Sequence, residues 1–360
     1  MNSMDIIVLG LEPLSCLTPM DGIPRSLALS SAVSLRYIGV ATGLRHSGLI
    51  LDAMFHETVL LEAEGESLMT ALIERFGNGR PAVLLATRET DLPHLARYAT
   101  RLKTAGIHYL GPDITGLEQL ADVTLERLRR MDIPVVDWSA FRRPDEWPPA
   151  ANDDEEPLAG VLESADTLEF PVLLTSLPRA KTWIVENDWD LETLVKRLFN
   201  ESEPVAMVRP YDEEEAFQVA VVTAGNGEEI AMAIVREIAR DDLDEAWIFM
   251  SIEDRRLAAA ARLVTTGLSP RGPCTLRFLY DARRGFLLDR IIPLLPVWCH
   301  LPATAGINLP WLLVAASAGI PVNSSPTLSV AGKILVFNAF DIPVAAERWL
   351  RVAGEGGFSI

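Results

Sequence analysis

Cysteine is scarce: Cys16, Cys274 and Cys299 are the three in 360 residues, odd in number and far apart. They exclude a disulfide framework and point to a reducing, cytoplasmic setting. The five histidines include no pair at metal-ligand spacing. No apolar run approaches the roughly 18–20 residues that a membrane helix requires. Met1–Asp5 lacks the basic n-region of a secretory signal, so the short run Ile6–Leu9 is expected as a first strand. Bases are outnumbered by acids, 32 to 50, leaving a net charge of −18. Such a surface repels phosphate backbones and anionic lipids, which argues against nucleic acid and membrane as partners. The turn after the first strand has one glycine, Gly10, and no GxGxxG, so a dinucleotide loop is not expected there.

What is present is ordinary apolar patterning at a length that accommodates two or three domains. In residues 1–113, Ile6–Leu9, Arg36–Val40, Thr58–Leu61, Ala82–Ala86 and His108–Leu110 read as strands. Ser67–Phe76 and Leu92–Ala105 lie between them with helical periodicity, and Ser26–Leu29 continues a further helix. Strands separated by helices imply a parallel, doubly wound sheet. Arg45 and His46, in the loop Gly43–Gly48, read as solvated.

Gly111-Pro112-Asp113 closes that pattern, and a helix is expected over Ile114–Met131, ahead of Ile133-Pro134-Val135-Val136. Residues 142–169, rich in Pro, Asp and Glu, read as a solvated acidic loop. Phe170–Leu174 and Trp183–Val185 are expected as strands, followed by a helix over Asp190–Phe199 with Asp190 near its cap. Val205–Val208 is a further strand. Ala216–Thr223 and Ile230–Glu237 form a hairpin around Gly225-Asn226-Gly227. A helix over Asp254–Thr265 leads to a second hairpin, Cys274–Tyr280 and Phe286–Ile292, joined by Asp281-Ala282-Arg283-Arg284-Gly285. Pro293 and Pro296 stop further pairing, and an apolar helix follows Gly306-Ile307-Asn308-Leu309-Pro310 and ends at Gly319.

The hairpin, the "AGINLP" run and its helix, the helix before "IPVV" and the strand "FPVLL" together resemble the ATP-grasp superfamily of carboxylate-amine ligases and carbamoyl-phosphate synthases. The resemblance covers nearly the whole chain. It implies an α/β fold: an N-terminal doubly wound pre-ATP-grasp domain (1–113), then two α+β ATP-grasp subdomains. These are a small one (114–203) carrying the acidic loop and a large one (204–360). In the family the hairpin carries two magnesium-binding acids and an asparagine, and two lysines and a glycine-rich loop hold ATP. At the matching positions this chain has Arg277 and Arg290, thirteen residues apart, then Ile292, Ala121 and Thr175. Its loop, Ser176–Thr182, contains no glycine, and Arg209-Pro210-Tyr211 stands where an acid would meet the ribose.

Guanidinium groups stay protonated and repel a cation, so the resemblance without its ligands implies no metal and no ATP cofactor. The function expected is a binding or scaffolding subunit that has lost ligation, as a homo-oligomer or beside another chain. The alternatives are an ATP- and magnesium-dependent carboxylate-amine ligase with displaced groups, and a small-anion sensor. For the last, Arg277, Arg290, Arg236 and Lys181 are expected to line an anion pocket, unless Asp281 and Asp289 neutralise the arginines locally. Strict alternation would put Asp289 on the strand face opposite Arg290. Cys299-His300 is expected to be structural, and the tryptophans, Trp298 and Trp311 among them, to be core or domain-interface residues.

Overall fold

The computed structural model describes residues 3–11, 22–30, 34–43, 54–77, 79–113, 121–143, 169–177, 182–202, 205–210, 215–240, 246–321 and 331–336. The first sheet is parallel, in the order β3-β2-β1-β4-β5. Its strands are β1 (Met4–Leu9), β2 (Leu35–Ala41), β3 (Glu57–Leu60), β4 (Ala82–Ala86) and β5 (Ile107–Tyr109). Every residue of β1 is buried, as a strand covered on both faces must be. Ile7 and Leu9 pack under α2 (Gly65–Phe76) and α3 (Leu92–Thr104). Ile6 and Val8 face the rest of the chain, where α1 (Gly22–Leu27) also lies.

The largest sheet has the order β14-β13-β10-β11-β12-β15. It comprises β10 (Glu215–Thr223), β11 (Glu229–Arg240), β12 (Ala246–Ser251), β13 (Gly272–Asp281), β14 (Gly285–Ile292) and β15 (Ile334–Val336). On one face Val219, Val221, Ile234, Leu276 and Phe278 pack against α6 (Arg255–Leu268) and Leu128 of α4 (Ala121–Arg130). On the other, Ala220, Val222, Ala231 and Ala233 share a core with β1, α1, α7 (His300–Ala303) and α8 (Leu309–Ala318). Alanines there let α8, apolar on every side, lie deep between the two domains. Asn308 positions it: its Oδ1 accepts the Trp311 N–H at 3.1 Å as a cap, and its Nδ2 donates to the Ser26 carbonyl at 2.6 Å. Gly319, at φ 68°, ends the helix in the left-handed region that glycine tolerates.

A third sheet, β6-β9-β7-β8, forms a small domain with α5 (Asp188–Asn200) on one face. It comprises β6 (Ser139–Arg142), β7 (Val172–Leu177), β8 (Thr182–Val185) and β9 (Val205–Pro210). β9, which follows the division expected after residue 203, pairs with β7 in this sheet. The cap of α5 is Asn187, whose side chain accepts from the Asp190 N–H; Asp190 itself lies inside the helix. Strands β6, β12 and β15 had no counterpart in the sequence expectation; β6 and β15 are only four and three residues long. Trp298 is fully buried, but Trp189 is 72% exposed and does not belong to the core. The acidic stretch 144–168, residues 114–120, Arg45, His46 and Cys16 lie outside the described residues. Among the described residues no helix is long and apolar enough to cross a membrane.

Candidate functional site

The cleft between the small domain and the two larger sheets is lined by charge, and the hairpin β13–β14 supplies most of it. Arg277 stands opposite Gln218 of β10, on the sheet face that points at the cleft. Its neighbour across the hairpin is Arg290, but the next pair in register is Phe278 with Leu288. Asp289 is therefore an extra residue, a β-bulge, which turns it to the same side as Arg277. Alternation alone would have sent it away; the bulge overturns that expectation.

The result is a buried chain of opposite charges. Arg277 donates from Nε and Nη2 to both oxygens of Glu237, each at 3.0 Å, and from Nη1 to Asp289 Oδ2 at 2.9 Å. Asp289 Oδ1 in turn meets Arg209 Nε of β9 at 2.8 Å. Gln218 links the far end, donating to Glu237 at 2.8 Å and accepting from the Trp298 indole at 2.6 Å. Burial works to raise the Asp289 carboxyl, but the charges of Arg209, Arg277 and Arg290 outweigh it and hold it at about 2. A bidentate guanidinium–carboxylate pair of this kind is both strong and directional.

Of the four basic side chains expected in one anion pocket, three are described, and Arg236 is not on the same sheet face as Arg277 and Arg290. Arg277 is saturated by Glu237 and Asp289 rather than by Asp281, whose carboxylate instead accepts the Arg283 and Arg284 N–H groups of its own turn. Arg236 follows Ile234 on the opposite face of β11 and bonds Glu215 at 2.7 Å, because successive strand residues alternate. Arg290 does enter the cleft: its Nη2 donates to Thr182 Oγ1 of β8 at 3.2 Å. Its charge also reaches Glu89, in the 3₁₀ turn Glu89–Asp91, whose carboxyl burial pushes up. Lys181 lies outside the described residues. Glu237 and Arg209 were not singled out from sequence as partners. The signal for Glu237 was a lone acid continuing the buried series Ala231, Ala233, Val235.

Other side chains at expected ligand positions bond to the chain's own groups. Thr175, at the position expected to hold a phosphate-binding lysine, faces Thr182 with hydroxyls 3.4 Å apart. At the carboxyl ends of the parallel strands, where open α/β sheets usually take ligands, Arg88 fills the crevice. It binds Asp91 through two bonds, 2.9 and 2.8 Å, and Thr42 at 2.9 Å. It also lies against Gly10, where an added Cβ would come within 2.8 Å of the arginine side chain. Cys299 is buried with its sulfur against Gly22, and His300 Nδ1 lies 3.4 Å from Ser26 Oγ. That hydroxyl also donates to the Gly22 carbonyl at 2.5 Å.

Magnesium needs hard oxygen ligands whose charge is free. Here the two cleft carboxylates are neutralised by guanidinium groups, and among the described residues no cluster of three His, Cys, Asp or Glu side chains is placed to hold a metal. Among the described residues, these two carboxylates do not fit that ion.

No protein-family model matches the chain, and no curated protein aligns with it. Solved structures do. The biotin carboxylase domain dimer of Hydrogenobacter thermophilus 2-oxoglutarate carboxylase, in complex with MgADP, ADP and bicarbonate, superposes with a TM-score of 0.64 at 13% identity. The match covers 89% of this chain and 71% of that one. N5-carboxyaminoimidazole synthetase from Staphylococcus aureus gives 0.63 at 13% identity over 92% and 80%. D-alanine–D-alanine ligase from Bacillus anthracis, complexed with ATP, gives 0.59 at 12% identity over 89% and 98%.

Proposed function

On the ATP-grasp fold, which this chain shares with those neighbours, we propose a protein that does not carry out ATP-dependent ligation and acts as a binding or scaffolding subunit. One observation carries the reading: Arg277 stands where the resemblance puts a metal-binding acid, locked between Glu237 and Asp289 at 4% exposure. ATP-grasp chemistry relies on a divalent cation to offset phosphate charge as it moves onto a carboxylate. A guanidinium with both acids engaged cannot be exchanged for that cation without leaving three buried charges to rearrange. We place the protein's usefulness in association, with itself or with another chain, and the dimeric biotin carboxylase domain among its neighbours supports that.

A ligase with displaced groups is the second reading, favoured by the presence of two carboxylates, Glu237 and Asp289, in the cleft. Thermal melts with and without Mg-ATP, with sedimentation of the same sample, separate the two. The first reading expects no magnesium-dependent shift at millimolar nucleotide and a species heavier than a single chain. Binding at 100 times Kd would stabilise by about 2.7 kcal/mol, and such a shift would revive the ligase reading. A lone monomer with no captured partner would remove the scaffolding half.

A further inference from the structure

The small domain has a hydrophobic core closed on itself. Phe141, Val172, Leu174, Val185, Leu198 and Phe199 all belong to its own strands and helix. Its opposite face, toward the cleft, is formed by the cross-strand pairs Leu173 with Arg209 and Thr175 with Met207. Met207 adds an apolar contact to the large-sheet core and Thr182 accepts from Arg290 at 3.2 Å, while the charged connection is buried: Arg209 at 9% side-chain exposure, on Asp289 at 5%.

The entry to the domain is held beside that contact. Residues 134–136 exchange backbone bonds with Leu288, one residue before the bulge: Val136 N–H to the Leu288 carbonyl at 3.0 Å and Leu288 N–H to the Pro134 carbonyl at 2.9 Å. Arg284 adds bonds to Asp137 and to the Val135 carbonyl. A domain with its own core, pinned at a linker and joined beside it by a buried charged pair, is a hinged body with a latch.

We propose that the small domain is latched over the cleft by Arg209 on Asp289, so that closure needs no nucleotide. Arg277 and Glu237 hold Asp289 ready from the large-sheet side. Arg209 is the one member of the chain carried by the small domain, so its loss leaves the ion pairs of the large sheet intact. The bulge at Asp289 is what aims the acceptor across the cleft.

Electron-spin distance measurements on the full chain test this, with spin labels on Glu192→Cys of α5 and Leu263→Cys of α6, both solvent-facing, in a Cys16→Ser background whose other two native thiols, Cys274 and Cys299, are buried. The expected result is one narrow distance population in the nucleotide-free protein, unchanged by Mg-ATP, and loss of that peak to a broader, longer distribution in Arg209→Met. Arg209→Gln keeps a donor for Asp289 without the charge and gives the same reading if the methionine variant does not fold. A broad population in the unaltered protein, or a narrow peak that survives both substitutions, overturns the latch. The proposal is separable from the functional reading: a broad distribution that ignores Mg-ATP sinks the latch and leaves the non-ligating assignment standing.

Discussion

Two clusters of arginine and carboxylate lie in different parts of the molecule, alike in composition and different in surroundings. One gathers at the amino ends of the parallel strands, where Arg36 meets Asp5 and Glu57, and Arg75 meets Glu57 at 2.8 Å. Its arginines are 39% and 55% exposed, and it borders an open pocket of about 330 Å³. The other is the cleft chain Arg209–Asp289–Arg277–Glu237, whose members are between 9% and 1% exposed. Water and salt screen the first, so its pairs contribute little. The second has lost its hydration and depends on its partners; removing one leaves a buried charge uncompensated. Burial, not the number of pairs, decides which cluster the fold cannot do without.

The largest expected effect breaks the cleft chain in the middle. Arg277→Met should cost about 3–5 kcal/mol, because Glu237 is left buried without its bidentate partner. Adding Glu237→Leu should recover most of that, since an apolar pair of similar volume replaces the ions and Asp289 retains Arg209. Urea unfolding midpoints of the two variants give the answer. A double variant no better than the single would show that the loss is not electrostatic.

Acid sharpens the same contrast. Asp289 is held at about 2 when folded, below the unfolded value of about 3.9. Between those values the unfolded chain binds more protons, so stability rises with pH there. The contribution, ~2 kcal/mol, is complete above the unfolded value and is lost as pH falls through the folded one. In Asp289→Asn the unfolding free energy should depend less on pH in that window, measured at constant ionic strength.

The smallest effect belongs to the exposed cluster. Arg75→Ala should change stability by about 0–1 kcal/mol, and 1 M salt should erase the difference. A loss comparable to that of Arg277→Met would mean the two regions are not distinguished by solvent after all.

Much of the architecture was legible. The hairpin β13–β14, the Gly225–Gly227 turn and the end of α8 at Gly319 all follow from local chemistry: turn formers between apolar runs, and a glycine at a left-handed position. Asn308 was legible as part of a motif, but not as the group that ties α8 to the Ser26 carbonyl. The site was legible only in part. Arg277 and Arg290 could be assigned to the hairpin and to a place in the cleft by spacing. Their partners could not, because Glu237 is forty residues from Arg277 in the chain and Arg209 belongs to another sheet.

What the sequence determined by itself was the order of elements and the absence of acids at the two expected hairpin positions. Local propensity and the periods of strand and helix act over a few residues and need no distant partner. What only the tertiary structure decided was where each charge points. A single extra residue at Asp289 reverses a side chain's face, and strand alternation removes Arg236 from the cleft. Arg209 meets its carboxylate across two different sheets. These outcomes depend on register and on domain packing, which join residues far apart in sequence, and burial then turns that placement into energy.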